Sequence, residues 1–260
     1  MNKQKKINHV FHYTSAFKHL QDIVRSGFQP SYCMEKVGNS KYMIPMVSFC
    51  NIPIVEVDKY MHYGKNGIGM SLNWAVENGL TPVTYVHRKS PYHSILGLLE
   101  WIKLNTKSKD ESYFDSEGNL KKHFSTIYNN NLLSHNIIVN NLQLLKNWDV
   151  FHKGFNINTY QEREWRYIPD SNNIKDIIYE NDLEYKDFQG ENKKRKPHLP
   201  EQSLIINKID DIRYIVVSTD PHVKKIIGTL NKRFTKDVTT KAILSGKLSI
   251  LTESQIRNDF

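Results

Sequence analysis

Gln161-Glu162-Arg163-Glu164-Trp165-Arg166-Tyr167-Ile168-Pro169 alternates acid, base, acid, aromatic, base and aromatic before Pro169 closes the run. Read as a strand, its period of two places Glu162, Glu164 and Arg166 on one face and Arg163, Trp165 and Tyr167 on the other. Two carboxylates and a guanidinium then share one surface, while Trp165 and Tyr167 anchor the opposite face in a core. Such a row is either a solvated strand face carrying cross-strand ion pairs or the floor of a site that handles a cation. By itself the stretch favours the solvated face. The rest of the chain decides how far that reading holds.

A chain of 260 residues is long enough to bury a large core in one domain or two. An apolar fraction of 39%, with 14 Tyr and 11 Phe, points to a globular fold and away from wholesale disorder. The net charge of +9, from 36 basic and 27 acidic residues, suits a polyanion such as nucleic acid and equally a soluble basic enzyme. Cys33 and Cys50 fit a reduced interior better than a disulfide scaffold, and there is no CxxC or Cys/His metal spacing. The basic start Met1-Asn2-Lys3-Gln4-Lys5-Lys6 is not followed by an apolar run of signal-peptide length, and no stretch has the length of a membrane span. The expectation is a cytoplasmic protein with no membrane partner.

Along the chain, Ile7 to Tyr13 reads as a first strand and Ser15 to Ser26 as a helix. Phe17, Leu20, Ile23 and Val24 lie on its inner face, Thr14 or Ser15 is the natural N-cap, and Gly27 is the stop. Residues 28–45, interrupted by Pro30, Gly38 and Pro45, read as loop. Strands are expected at Met46–Cys50, Ile68–Leu72, Pro82–Val86 and Ile212–Ser218, and Gly69 marks a close approach of another group. Asn73 to Asn78 is a short helical stretch, and Asp220-Pro221 opens a helix over Val223–Asn231. Residues 90–148, Leu132–Trp148 included, read as a helical insertion. Lys193-Lys194-Arg195-Lys196-Pro197 is a solvated basic loop or a phosphate grip, the former favoured. Ala242–Leu244 and Leu248–Leu251 read as final strands, followed by a short helix from Thr252. With no repeat or linker, residues 1–260 are expected to form a single α+β domain.

Four short motifs stand out: His12-Tyr13-Thr14 at a strand-to-helix junction, Val47-Ser48-Phe49, Tyr63 beside the Gly64–Gly67 joint, and Glu162-x-Glu164. Each has a bland reading. A histidine that ends a strand is most often structural, and Tyr13 and Phe49 are more often core than ligand platforms. Gly67-x-Gly69 lacks the spacing of a phosphate-binding loop.

Taken in order, His-Tyr-Thr, a helix ending at Gly27, Val-Ser-Phe, Gly69-Met70-Ser71, Val83-Thr84-Tyr85 and Glu-x-Glu-Trp-Arg resemble the AbiGi abortive-infection family. A related bacterial family of unknown function shares the first and last of these motifs. Both are distantly similar to the ADP-ribosyltransferase fold. The resemblance implies a split, mixed or antiparallel sheet core carrying the helical insertion, with NAD as substrate. It implies Glu164 as the catalytic acid that steadies an oxocarbenium-like ribose, with Glu162 assisting. It places His12 on a cofactor ribose, Tyr13 or Tyr63 on the nicotinamide, Ser48 in support of Glu164, and Arg166 or Arg163 on the pyrophosphate; Thr14 and Phe49 complete the pocket. The acceptor would be a macromolecule, nucleic acid slightly favoured, or water in an NAD hydrolase. AbiGi-like proteins are also described as the antitoxin half of a phage-defence pair whose toxin resembles a nucleotidyltransferase. A non-catalytic antitoxin or sensor that binds such a toxin therefore stands beside the enzyme reading.

Overall fold

A computed structural model of the chain describes residues 7–37, 40–61, 63–87, 89–90, 117, 137, 139–152, 155–170, 177–179, 182–189 and 199–259. Its strands are β1 (His9–Thr14), β2 (Ser31–Val37), β3 (Ser40–Cys50), β4 (Asn66–Ser71), β5 (Thr81–Pro82), β6 (Thr84–Val86), β7 (Leu145–Asn147), β8 (Asp149–His152), β9 (Phe155–Asn158), β10 (Glu164–Tyr167), β11 (Ile178–Tyr179), β12 (Ile212–Val217) and β13 (Ser249–Thr252). The helices are α1 (Phe17–Ser26), α2 (Leu72–Glu77), α3 (Leu183–Gln189), α4 (Asp220–Phe234), α5 (Lys236–Leu244) and α6 (Glu253–Asp259). The fold is α+β.

A nine-stranded mixed sheet runs β13-β12-β4-β1-β3-β10-β5, with β2 and β11 also on β3. Its pairings are antiparallel except for β12 with β13. The long β3 is shared: its first half pairs with β2 and β11, its second half with β1 and β10. Two small sheets, β6 with β7 and β8 with β9, stand beside it.

Alternation along β1 and β3 divides the core into two sides. Val10 and Phe49 belong to the larger cluster, where Leu20, Ile23 and Val24 of α1, Trp74 and Ala75 of α2, and Ile226 and Leu230 of α4 pack on the sheet. Phe11 and Cys50 face the other way, against Val57 and Met61 and against Ile256 of α6. On that second side, Tyr42, Ile44 and Met46 of β3 lie against Val139, Leu142 and Leu145. Ser48 falls between these two apolar groups, a polar gap in an otherwise apolar row.

Several sequence expectations change. Residues 31–37 and 40–45 form a hairpin rather than loop, because β-formers flank Gly38-Asn39 and Val37 pairs with Ser40. Ala16, not Thr14 or Ser15, is the N-cap of α1, and it makes no side-chain cap hydrogen bond. Ala242–Leu244 ends helix α5, since Ala242 is needed as a buried helical contact. The helix expected over Leu132–Trp148 gives way at its end to β7 and the turn into β8. Most of the expected insertion, residues 91–136 apart from 117, lies outside the described residues, as does the basic run 193–197. Among the described residues no helix is long and apolar enough to cross a membrane.

Gly27 ends α1 with φ +84°, and its N–H donates to the Ile23 carbonyl at 2.8 Å. A Cβ there would sit 2.2 Å from the carbonyl oxygen of Leu204, the residue that bridges to Phe28. Gly27→Ala therefore combines a strained backbone with a backbone collision, and a loss of about 2–3 kcal/mol in chemical denaturation is expected.

Candidate functional site

The opening stretch does not form one strand. Thr159–Glu162 is a turn of 3₁₀ helix, and Arg163 adopts the left-handed conformation (φ 45°, ψ 53°) before β10 begins at Glu164. Glu162 therefore does not reach the common surface through strand alternation. The kink at Arg163 swings it back so that both carboxylates meet one cation, the ammonium of Lys146 on β7. Its Nζ donates to Glu162 at 2.8 Å and to Glu164 at 2.5 Å. Within β10 the alternation holds and Trp165 and Tyr167 pack on the core as expected, but the charged face is dry rather than solvated. Glu164 and Arg166 are buried, at 4% and 0% exposure, whereas Trp165 and Tyr167 are half-buried.

Both oxygens of Glu164 are engaged. Oε1 accepts from the Ser48 hydroxyl at 2.8 Å and from Arg166 Nε at 2.8 Å; Oε2 accepts from Lys146 and, at 3.4 Å, from the Arg166 guanidinium. Ser48 is delivered by register, since β3 and β10 pair Ser48 with Arg166 and Cys50 with Glu164. Arg166 has five N–H donors. Its remaining bonds go to the Gln143 carbonyl at 2.8 Å, the Leu145 carbonyl at 3.3 Å and the Glu35 carboxylate at 2.9 Å. With every donor taken and no exposure, Arg166 has nothing left for a pyrophosphate. Tyr63 donates its hydroxyl to Glu162 at 2.7 Å, and Tyr85 accepts from the Glu164 backbone N–H at 2.8 Å.

Burial pushes Glu164 up, but the charges of Arg166 and Lys146 and their hydrogen bonds outweigh it and hold the carboxyl at about 2. Burial also opposes the charged forms of Lys146 and Arg166, and the neighbouring carboxylates override it, raising both. Glu35 goes the other way: burial lifts it above the usual carboxylate range despite Arg166. Burial, followed by the Glu162 and Glu164 charges, pushes the Cys50 thiol up to about 12, which leaves it an inert core sulfur. Burial and the hydrogen bond to Glu162 likewise raise Tyr63.

The structure thus brings together Glu162, Glu164, Ser48, Tyr63 and Arg166. It does not bring His12, Tyr13, Thr14 or Phe49 to them. His12 lies on the opposite side of the sheet, where its Nδ1–H donates to the Ser48 carbonyl at 2.9 Å and its ring sits 5.4 Å from Phe28 and 5.5 Å from Phe49. Burial lowers its pKa. Phe49 is core on that same side. Tyr13 faces the Glu164 side but stacks on Phe11 at 5.8 Å, against Gly67. Thr14 is buried at the end of β1, opposite Asn66. The reason is parity: positions 12 and 164 differ in the face that their paired registers assign, so no cleft on one side holds both side chains.

Two participants went unread in the sequence, Lys146 and Glu35, and Tyr85 stood in the Val83-Thr84-Tyr85 motif without a role. Glu35 was legible because β-forming runs on either side of a Gly-Asn dipeptide are a hairpin signal in sequence, and its segment is a strand beside β3. Lys146 carried no such signal, because Leu144-Leu145-Lys146 continues a helical spacing. Among the described residues no group of His, Cys, Asp or Glu is arranged to hold a metal ion.

The two carboxylates give opposite pH signatures. The folded pKa of Glu164 lies below its ordinary value of 4.5, so its contribution is present above pH 4.5 and is lost as pH falls towards 2. The loss is roughly 3 kcal/mol, and Glu164→Gln should flatten it in acid-dependent denaturation. Glu35, raised, contributes stability below pH 4.5 that disappears as pH rises through its folded value, and Glu35→Gln should remove that decline. A Glu35→Gln profile that stays flat from pH 5 to pH 2 would contradict the ionised Glu164.

A family model described as putative abortive phage resistance protein AbiGi, antitoxin, matches residues 25–218. An abortive phage resistance protein AbiGi of Lactococcus lactis subsp. cremoris is 23% identical over 212 residues, covering 76% of this chain and 81% of that protein. No solved structure matches the chain. On the family match, which spans well over half its length, this chain belongs to the AbiGi family of abortive phage resistance proteins.

Proposed function

We propose that this chain is a non-catalytic antitoxin of a phage-defence pair, one domain over residues 1–260, whose buried charge cluster serves the fold rather than a reaction. The observation that carries this reading is the saturation of Glu164. A carboxylate that steadies a developing cation on a substrate must present an oxygen to it in a water-poor pocket. Here both oxygens are committed to Ser48, Arg166 and Lys146, and the ammonium of Lys146 stands where an external cation would have to stand. The side-chain separation of His12 from Glu164 supports the same reading, and so does the antitoxin description of the family.

A second reading, NAD-dependent ADP-ribosyl transfer on a fold of the ADP-ribosyltransferase kind, draws support from one contact. The Ser48 hydroxyl holds Glu164 at 2.8 Å with a second carboxylate, Glu162, on the same ammonium. It requires Lys146 to withdraw and NAD, or its hydrolysis, to take the space. Nucleic acid as the acceptor has no contact at this cluster to support it.

Glu164→Gln keeps the acceptor for Ser48 and Arg166 while removing the charge. In a phage-challenge assay at matched soluble protein, protection within about threefold of wild type is expected, and calorimetry with NAD should show no heat of binding. Protection lost by about 100-fold or more, together with NAD binding to the wild type, would overturn the antitoxin reading in favour of transfer.

A further inference from the structure

A pronounced basic excess among the described residues lies away from the buried cluster. Between Asp220 and Lys247 stand seven basic residues and two acidic ones, a net +5 out of +9 for the whole chain. This segment, α4 and α5, lies beyond residues 25–218 that the family model matches.

It is firmly held. Ile226, Thr229 and Leu230 of α4 and Thr239 and Ala242 of α5 are buried, and Gln21 of α1 donates to the Thr229 hydroxyl at 2.9 Å. Helical periodicity therefore sends Lys224, Lys225 and Lys232 outward, and all three are exposed. Gly228 lies on the same outer face, and a Cβ there would meet nothing within 4 Å, so the ridge is open between the lysines. Lys225 and Lys232, seven residues apart, are separated by two helical turns, about 10 Å. Lys236 and Lys241 of the adjoining α5 are exposed as well.

Two other basic residues here have intramolecular duties. Lys247 pairs with Asp210 at 2.7 Å, and Arg233 donates to the Ile206 carbonyl at 3.0 Å. Lys224, Lys225, Lys232, Lys236 and Lys241 form no ion pair among the described residues. Five unneutralised ammonium groups on two packed helices repel one another, and that cost is offset when a polyanion supplies the countercharge.

We propose that the outer face of α4 and α5 is a nucleic-acid-binding surface that grips the phosphodiester backbone of a duplex without reading bases. The lysines supply charge and reach, and the rigid helices fix their spacing. The face offers no exposed aromatic ring on which an unpaired base would stack, because Phe234 of α4 is half-buried against the core. A duplex is therefore favoured over a single strand.

Fluorescence anisotropy of the full chain with labelled duplexes of about 20 base pairs, in DNA and RNA arms, tests this across a salt series. Binding at about 50 mM KCl is expected, with log K falling against log salt at a slope of about −3 to −5. The triple variant Lys224→Glu, Lys225→Glu, Lys232→Glu should lose at least about thirtyfold in affinity and reduce the slope by about two to three. These side chains are exposed, so its thermal melting should match wild type. A control with the same charge change, Lys41→Glu, Lys89→Glu, Lys186→Glu, should stay within about twofold. No binding at low salt, or equal losses in the two triple variants, would overturn the assignment. Tighter binding of polyglutamate than of either duplex would overturn it too, in favour of an acidic protein partner.

Discussion

A fully buried guanidinium with all its donors used is the constraint around which this molecule is arranged. Arg166 stands on β10, yet its bonds reach Glu35 on β2, Glu164 on its own strand, and the carbonyls of Gln143 and Leu145 where the chain enters β7. It thereby fastens together segments separated by more than a hundred residues of sequence. A buried charge of this kind tolerates no slack, because removing a partner leaves an unpaired ion in a dry place at about 3–5 kcal/mol. A one-residue slip of β10 against β3 would turn Glu164 and Arg166 into the apolar cluster of Phe49 and Trp74, so the network also defends the register.

The same geometry shapes the functional reading. A row of acids on a strand invites the idea of a cation site, and a cation is indeed there, but it belongs to the chain. Lys146 bridges Glu162 and Glu164, Tyr63 closes Glu162 from one side, and Tyr85 meets the Glu164 backbone from another. Membership of an abortive phage resistance family sits comfortably with a protein whose most charged interior is fully satisfied and whose outward character is basic.

How much of this was legible beforehand follows the range of the signals. Local ones worked: apolar spacing found α1, β-forming runs found β1 and β12, Asp220-Pro221 announced α4, and Gly69 marked the approach of Phe11 and Tyr214. The pairing of the Ser48 strand with the Glu164 strand followed from the motifs that resemble the family. What failed depended on parity and burial. Period-two alternation shows that residues share a face, but not which face is dry, and Glu164 and Arg166 turned inward where an outward solvated row was the simpler expectation. His12 sat one residue out of phase with the charged side. Lys146 lay in a helical-looking run whose end became a strand only through its pairing with Thr84–Val86.

The most direct measurement is a double-mutant cycle between Arg166 and Glu164, each replaced by Met, followed by equilibrium denaturation. If the guanidinium and carboxylate are the structural centre, the double variant loses less stability than the two single losses added together, with a coupling energy of at least about 2 kcal/mol. Additive losses, with coupling under about 0.5 kcal/mol, would contradict it and return Glu164 to the ranks of groups free to act on something else.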